Sequence, residues 1–499
     1  MPLHTRSRRI LRFAGILLAL AVPAAARAQG AAGPGQLSLA DALRLAEQRS
    51  KTLKIAEASL SRAQGQRYQA RSQLMPQVNG TAAYQRTLES QFQAISAKAG
   101  SSSGNPNDTS SSSSGGDLAN SPIAKIFAAP STVILGLTLT QNLFTAGKVT
   151  AANKGADAAE RSAMAGVSSA RAQLVLDVAQ AYYNASAADR MASIADSTLA
   201  QAERALGLTT LSRQVGTSAE FDLLRARVTR DNARPLAIQS HANRDIAYLR
   251  LRQLVGLSLS GPIQLTTPVR DDLTAEQAMA QTASAVLTAP VALPRENTSA
   301  TPDTAVDHRV AVKQAADALE AQRYALKAAR WERLPSVQLS SNYQRFGYPA
   351  AGTIVPSSIG LFYPNWTASL GVSFPVVSSG RIKGDKMVAQ ANYIDAQERL
   401  LQAREAAELD ARISINQYEQ AQATYAASAG TDEQAAKAYQ IAEVRFREGV
   451  STQLELDQSR TQLQQARMNR VVAARDFELA RLRLALLRDL PLASAGGAR

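Results

Sequence analysis

Two hydrophobic periods alternate along this chain. From Leu39 to Met75 apolar residues recur at helical spacing among Ala, Arg and Gln, and Ser38 with Asp41 can form a capping box at the start. Pro76 closes the segment, because a residue preceding proline is pushed out of the helical region. The period then falls to two. Val78, Gly80, Ala82 and Tyr84 alternate with Asn79, Thr81, Ala83 and Gln85, and a returning strand carries Val133, Leu135, Leu137 and Leu139 on one face. The same change occurs after Pro335. Val337, Leu339, Ser341 and Tyr343 share one face, and Trp366, Ala368, Leu370, Val372 and Phe374 share another, opposite Thr367, Ser369, Gly371 and Ser373. Strands that are apolar on one side, small and polar on the other, with Trp and Tyr near their ends, fit a membrane barrel. A half-buried strand of a soluble sandwich gives the same alternation.

Gly147 and Gly380 return the chain to helical spacing, which then runs to about Arg213 and about Arg447 without an internal proline. Leu174, Val178, Ala181 and Tyr182 form one stripe of the first segment. At 1.5 Å per residue, some 65 residues make a rod of roughly 100 Å. Each rod ends at a glycine turn, and a second helix returns, ending near Leu257 and Leu490. Pro235 falls inside the first returning helix and predicts a kink or local break there. The proline-rich residues 260–305 join the halves, with a short helix predicted from Thr274 to about Val286.

These halves are copies. Residues 144–257 align with 377–490 at an offset of 233, pairing Leu176-Asp177 with Leu409-Asp410 and Gly216 with Gly449. Upstream the offset is 259, pairing Lys54 with Lys313 and Pro76 with Pro335. The difference lies in the loop between paired strands, where the first copy carries the Ser/Gly/Asn tract 101–116, expected to be mobile and dispensable.

Composition narrows the destination. Residues 1–28 read as an export signal: Arg6, Arg8, Arg9 and Arg12, the apolar run 13–22, and Ala26-Arg27-Ala28 as the cleavage site. Cleavage would remove five Arg and no acid, taking the net charge from +14 to 14 − 5 = +9. The remaining basic residues are dispersed among acids, which argues for a solvated surface and against nucleic-acid binding. The chain has no Cys, which excludes a disulfide framework and lipid attachment at an N-terminal cysteine. Only His241 and His308 would survive cleavage, too far apart for a metal site. The residues offer no catalytic constellation; the expectation is a non-enzyme without metal or other cofactor.

Four amphipathic strands are too few to close a barrel, since bacterial barrels begin at about eight, so the chain must pool strands with copies of itself. At this point the chain resembles the TolC family of outer-membrane efflux proteins, from Leu37 to Leu490. The resemblance rests on Leu39-Ala40-Asp41-Ala42-Leu43, Leu74-Met75-Pro76 and Leu143-Phe144-Thr145-Ala146-Gly147, and on the two hairpin tips. It implies a mixed fold: a trimeric twelve-stranded outer-membrane β-barrel, four strands per chain, continuous with a long periplasmic α-helical barrel. It further implies a passive export conduit for small molecules or protein. Its partners would be a periplasmic adaptor and an inner-membrane pump of RND, ABC or MFS type, with outer-membrane lipid around the strands. The implied adaptor-docking tips are Val215, Gly216, Thr217, Ser218, Gly449, Val450 and Ser451. The implied periplasmic gate is Asp222 with Glu455, or Asp457 in its place. Capping competes with the gate role, because Thr217 with Glu220 and Thr452 with Glu455 have capping-box spacing. At Val376-Val377-Ser378-Ser379 the chain departs from the family pattern.

The expected organisation is signal 1–28, first repeat 29–259, linker 260–305, second repeat 306–490 and tail 491–499. An exported trimeric coiled-coil adhesin or surface fibre is the alternative; it would need sustained heptads and no strand pairs.

Overall fold

The computed structural model describes residues 36–88, 131–216, 218–261, 263–267, 305–349 and 362–492. The export signal, Thr217, the tract 101–116, the helix expected from Thr274 and most of the tail lie outside the described residues. In chain order the elements are β1 (Gln36–Leu37), α1 (Leu39–Arg49), α2 (Lys51–Ser72), β2 (Gln77–Arg86) and β3 (Ser131–Phe144). Then come α3 (Lys148–Val215), α4 (Glu220–Val255), β4 (Gln264–Leu265) and α5 (Val310–Arg330). The last are β5 (Ser336–Gly347), β6 (Phe362–Ser373), α6 (Arg381–Arg447) and α7 (Gln453–Leu486).

The four long strands form one antiparallel sheet in the order β2-β3-β5-β6, and β2 and β6 are its open edges. Polar side chains on one face join strands, as in Ser340 to Ser369 (2.7 Å) and Thr138 to Asn342 (3.1 Å). The opposite face leaves Leu137, Trp366 and Leu370 exposed. A sheet with apolar residues outward and hydroxyls inward is the barrel-strand pattern rather than a half-covered sandwich. The paired strands also remove the heptad-only fibre alternative.

The rods α3 and α6 contain 68 and 67 residues, about 100 Å each at 1.5 Å per residue. Each starts at a left-handed glycine, Gly147 (φ 82°) and Gly380 (φ 90°), which turns the chain from strand to helix. A Cβ at Gly147 would sit 2.9 Å from the Trp331 ring, so glycine is required there for space as well as conformation. Glu332 beside that Trp ties the two rod starts together, reaching Arg381 at 2.8 Å and Lys148 at 3.8 Å. These cations, Arg381 foremost, hold its carboxyl below the usual Glu range despite partial burial.

The main core lies midway along the rods, where α1, α3, α4 and α7 meet around Leu43, Val178, Tyr182, Leu251 and Phe477. The buried Tyr182 hydroxyl is satisfied twice: it donates to the Leu37 carbonyl (2.9 Å) and accepts from the Thr267 N–H (2.9 Å). It thereby holds the short parallel β1–β4 pair against the helices.

Three local expectations change. The leading helix of the first copy breaks at Ser50, whose hydroxyl accepts from Leu53 N–H and restarts the chain as α2. Pro235 does not break α4, which is continuous from Glu220 to Val255. One missing donor in a long helix packed along α3 is outweighed by the contacts on either side. The Thr217–Glu220 capping box does not form, because the N-cap of α4 is Ala219 and Glu220 is already helical.

The copies differ at one buried position. Ser50 caps α2, whereas its equivalent Arg309 precedes α5, is fully buried, and donates to Asp410 Oδ2 at 2.6 Å. Arg483 reaches the other oxygen of Asp410 at 3.1 Å. In the first copy the equivalent Asp177 accepts from Gln173 (2.7 Å), and burial pushes its carboxyl upward.

Candidate functional site

The residues singled out from sequence gather at the two hairpin tips, at the ends of α3 and α6 farthest from the sheet. In the first tip Gly216 is left-handed (φ 83°) and its N–H closes on the Arg213 carbonyl at 3.1 Å. Glu220 then pairs back across the turn with Arg213 at 3.0 Å. In the second tip Gly449 is left-handed (φ 74°), and the N–H groups of Val450 and Ser451 both donate to the Arg445 carbonyl. Both glycines therefore serve the turn conformation itself.

The acidic residues have unequal surroundings. Thr452 caps α7 by accepting from Glu455 N–H at 3.3 Å, while the Glu455 carboxylate pairs with Arg445 at 2.8 Å. Half of the expected capping box is present, and its acid is turned to a salt bridge across the tip. Asp222 occupies the equivalent third position of α4, half-buried, and no ion pair joins it to another described residue. Asp457 is nearly buried between Arg460 (3.1 Å) and Arg225 of α4 (3.7 Å), and it accepts from Gln453 (3.2 Å) and Thr229 (3.4 Å). It is thus a compensated charge that ties α4 to α7. Gln453 extends the tie to α3 by accepting from Thr209 at 3.3 Å.

Sequence reasoning missed Arg225, Thr229 and Arg460 as the partners of Asp457, since a contact between two returning helices has no local spacing signal. It also missed an apolar collar. Phe221 and its repeat equivalent Leu454 are exposed just beyond the turns, as are Leu211 and its equivalent Val444 just before them. Exposed apolar residues in matching places of both hairpins mark a surface awaiting a partner. Among the described residues no group of three or more His, Asp or Glu could hold a metal ion. No described helix is long and apolar enough to cross a membrane.

A sheet with an apolar exterior and open edges, carried on two helical hairpins of rod length, defines a class: a channel subunit that completes itself with other subunits. The comparisons agree. The family model for outer membrane efflux proteins matches residues 42–257 and 301–488, and the chain belongs to that family. The fold matches the outer membrane protein VceC of Vibrio cholerae with a TM-score of 0.65 at 18% identity, covering 90% of this chain and 95% of that one. It matches the open-state MtrE outer membrane channel of Neisseria gonorrhoeae with a TM-score of 0.65 at 18% identity, covering 91% of this chain and 89% of that one. CusC, a transmembrane channel, gives 0.65 at 17% identity, with 90% and 91% covered. No curated protein matches the chain by sequence.

Proposed function

We propose that three copies of this chain join their sheets into a twelve-stranded barrel in the outer membrane and their hairpins into a twelve-helix tunnel in the periplasm. The assembly is a passive conduit, and the energy for export enters at an inner-membrane pump, joined through a periplasmic adaptor at the hairpin tips. One observation carries this reading: the β2 and β6 edges are open on a sheet whose outward face is apolar. Unpaired backbone groups cannot remain in a bilayer, so each edge must find another strand. The apolar collar at Phe221, Leu454, Leu211 and Val444 supports adaptor docking, together with Val215 and Val450 at the turns. Asp222 and Glu455, repeated in three chains, would set the charge of the periplasmic mouth. Liposomes carrying the purified protein should pass small ions without nucleotide; liposomes that remain sealed at every protein density would count against a conduit.

A further inference from the structure

The internal repeat carries more than a chain count. Within the first hairpin Gln77 pairs with Thr140; shifting these by 259 and 233 gives Ser336 and Ser373, which are the pair observed in the second hairpin. The two offsets therefore transfer strand register from copy to copy without error. The seam inside the chain, where the second strand of copy one meets the first strand of copy two, can be transferred in the same way. Thr140 pairs with Ser340 there, and Leu137 with Tyr343.

We propose that a second copy of this chain docks on the open β6–α6 side in the register of the internal seam, a statement that rests on the trimeric reading above. Transfer pairs Ser373 with Thr81 of the second copy, and Leu370 with its Tyr84. Both pairs respect the faces: Ser373 and Thr81 are polar inward residues, and Leu370 and Tyr84 are exposed on the apolar face. A slip of one residue would set apolar against polar along the whole edge. A slip of two would keep the faces, and only the repeat excludes it.

The helices give an independent argument. Inside the chain α3 packs on α5, and Gly155 lies where a Cβ would be 3.5 Å from the Ala321 carbonyl and 3.6 Å from the Tyr324 Cβ. Transfer places α6 against α2 of the second copy, with Val388 at the position of Gly155 and Gly65 at the position of Tyr324. Large and small have changed sides: the side chain gained at Val388 is matched by the Cβ lost at Gly65. In the single chain Val388 is 61% exposed and a Cβ at Gly65 would meet nothing within 4 Å. A second exchange follows. Arg161 binds Asp317 at 2.9 Å and also Glu320 inside the chain. The transferred positions are Ile394 against Ala58 and Ser61, so a charged contact becomes an apolar one with all its members changed together. Ala158 is fully buried under the internal seam, while its equivalent Ala391 is exposed. The seam between copies is thus the internal seam rewritten for a different set of side chains.

The chain has no cysteine, so introduced pairs report without background. Directly opposed antiparallel residues lie close enough for a disulfide, whereas diagonal ones at about 7–8 Å do not. The full-length protein carrying Thr81→Cys with Ser373→Cys should oxidise to a ladder of covalently joined chains, and Ala83→Cys with Ser373→Cys should not. A particle of three chains that joins through 83 and 373 but not through 81 and 373 would overturn the register and leave the trimer standing. Particles that are single chains in detergent would overturn the trimer and the register together. For the helices, Gly65→Tyr should weaken the assembly against heat, and adding Val388→Gly, which restores the pairing of Tyr with Gly found inside the chain, should recover it. Loss without recovery, or no loss, would overturn the helical half.

Discussion

Replacing Asp457 by Asn tests whether the tip is held by the tie between α4 and α7. The carboxylate lies 3.7 Å from Arg225, with 12% of its side chain and 34% of the arginine's exposed. At an effective dielectric of 20, that distance corresponds to a gross attraction of about 4 kcal/mol. Desolvation removes most of it. Exposed pairs retain about 0.2–1 kcal/mol, and breaking fully buried ones costs about 3–5 kcal/mol. The partial burial here places the net tie at about 1–2 kcal/mol per chain. Three subunits loosening together would then shift the balance between tight and open mouths by about 3–6 kcal/mol, or two to four powers of ten. In planar bilayers Asp457→Asn should therefore raise the fraction of time spent in the largest conducting state, and Arg225→Gln should do the same. Because both changes break one contact, the double substitution should do little more than either alone. Additive effects, or gating unchanged in both single variants, would refute the tie.

Other outcomes follow from the same residues. The mature membrane-bound chain should begin at Gln29, and N-terminal sequencing that finds Met1 would revive an uncleaved anchor. Deleting residues 101–116 should leave assembly intact, read as the amount of detergent-resistant complex in the membrane fraction, since the second copy manages without them. Replacing Asp222 and Glu455 by Ala should weaken cation selectivity, because a ring of carboxylates favours cations at a narrow mouth. If Glu455 only supports its helix start, that residue's change would cost on the order of 1 kcal/mol locally and leave selectivity untouched. At the buried pair, Asp410→Asn should lower thermal stability more than Arg309→Ser. The first leaves the buried Arg309 guanidinium without a counter-charge, at about 3–5 kcal/mol. The second leaves Asp410 still paired with Arg483 and places at 309 the serine that the first copy carries at 50.

Much of the fold was legible because its signals are periodic and stated twice. The change of period after Pro76 and Pro335 marked β2 and β5, and Gly147 and Gly380 marked the rod starts within one residue. The break at Ser50 was hidden because its cap depends on one hydroxyl inside an otherwise helical pattern. Pro235 misled for the opposite reason: a strong local signal was overruled by packing along a long partner helix. The tip carboxylates could be located by repeat position, but their chemistry could not. Asp457 became a tie only once Arg225 and Thr229 of another helix were beside it, and Glu455 once Arg445 lay across the turn. The difference between Arg309 and Ser50 stands in the aligned sequence, yet its meaning needed the burial of Asp410.

The central claim is that four strands per chain become a closed barrel only by sharing edges among three chains. Native mass measurement of the detergent-solubilised, conducting particle tests it most directly. Three chains are expected; a particle of one or two chains that still conducts would mean that the barrel closes in some other way and would contradict the account.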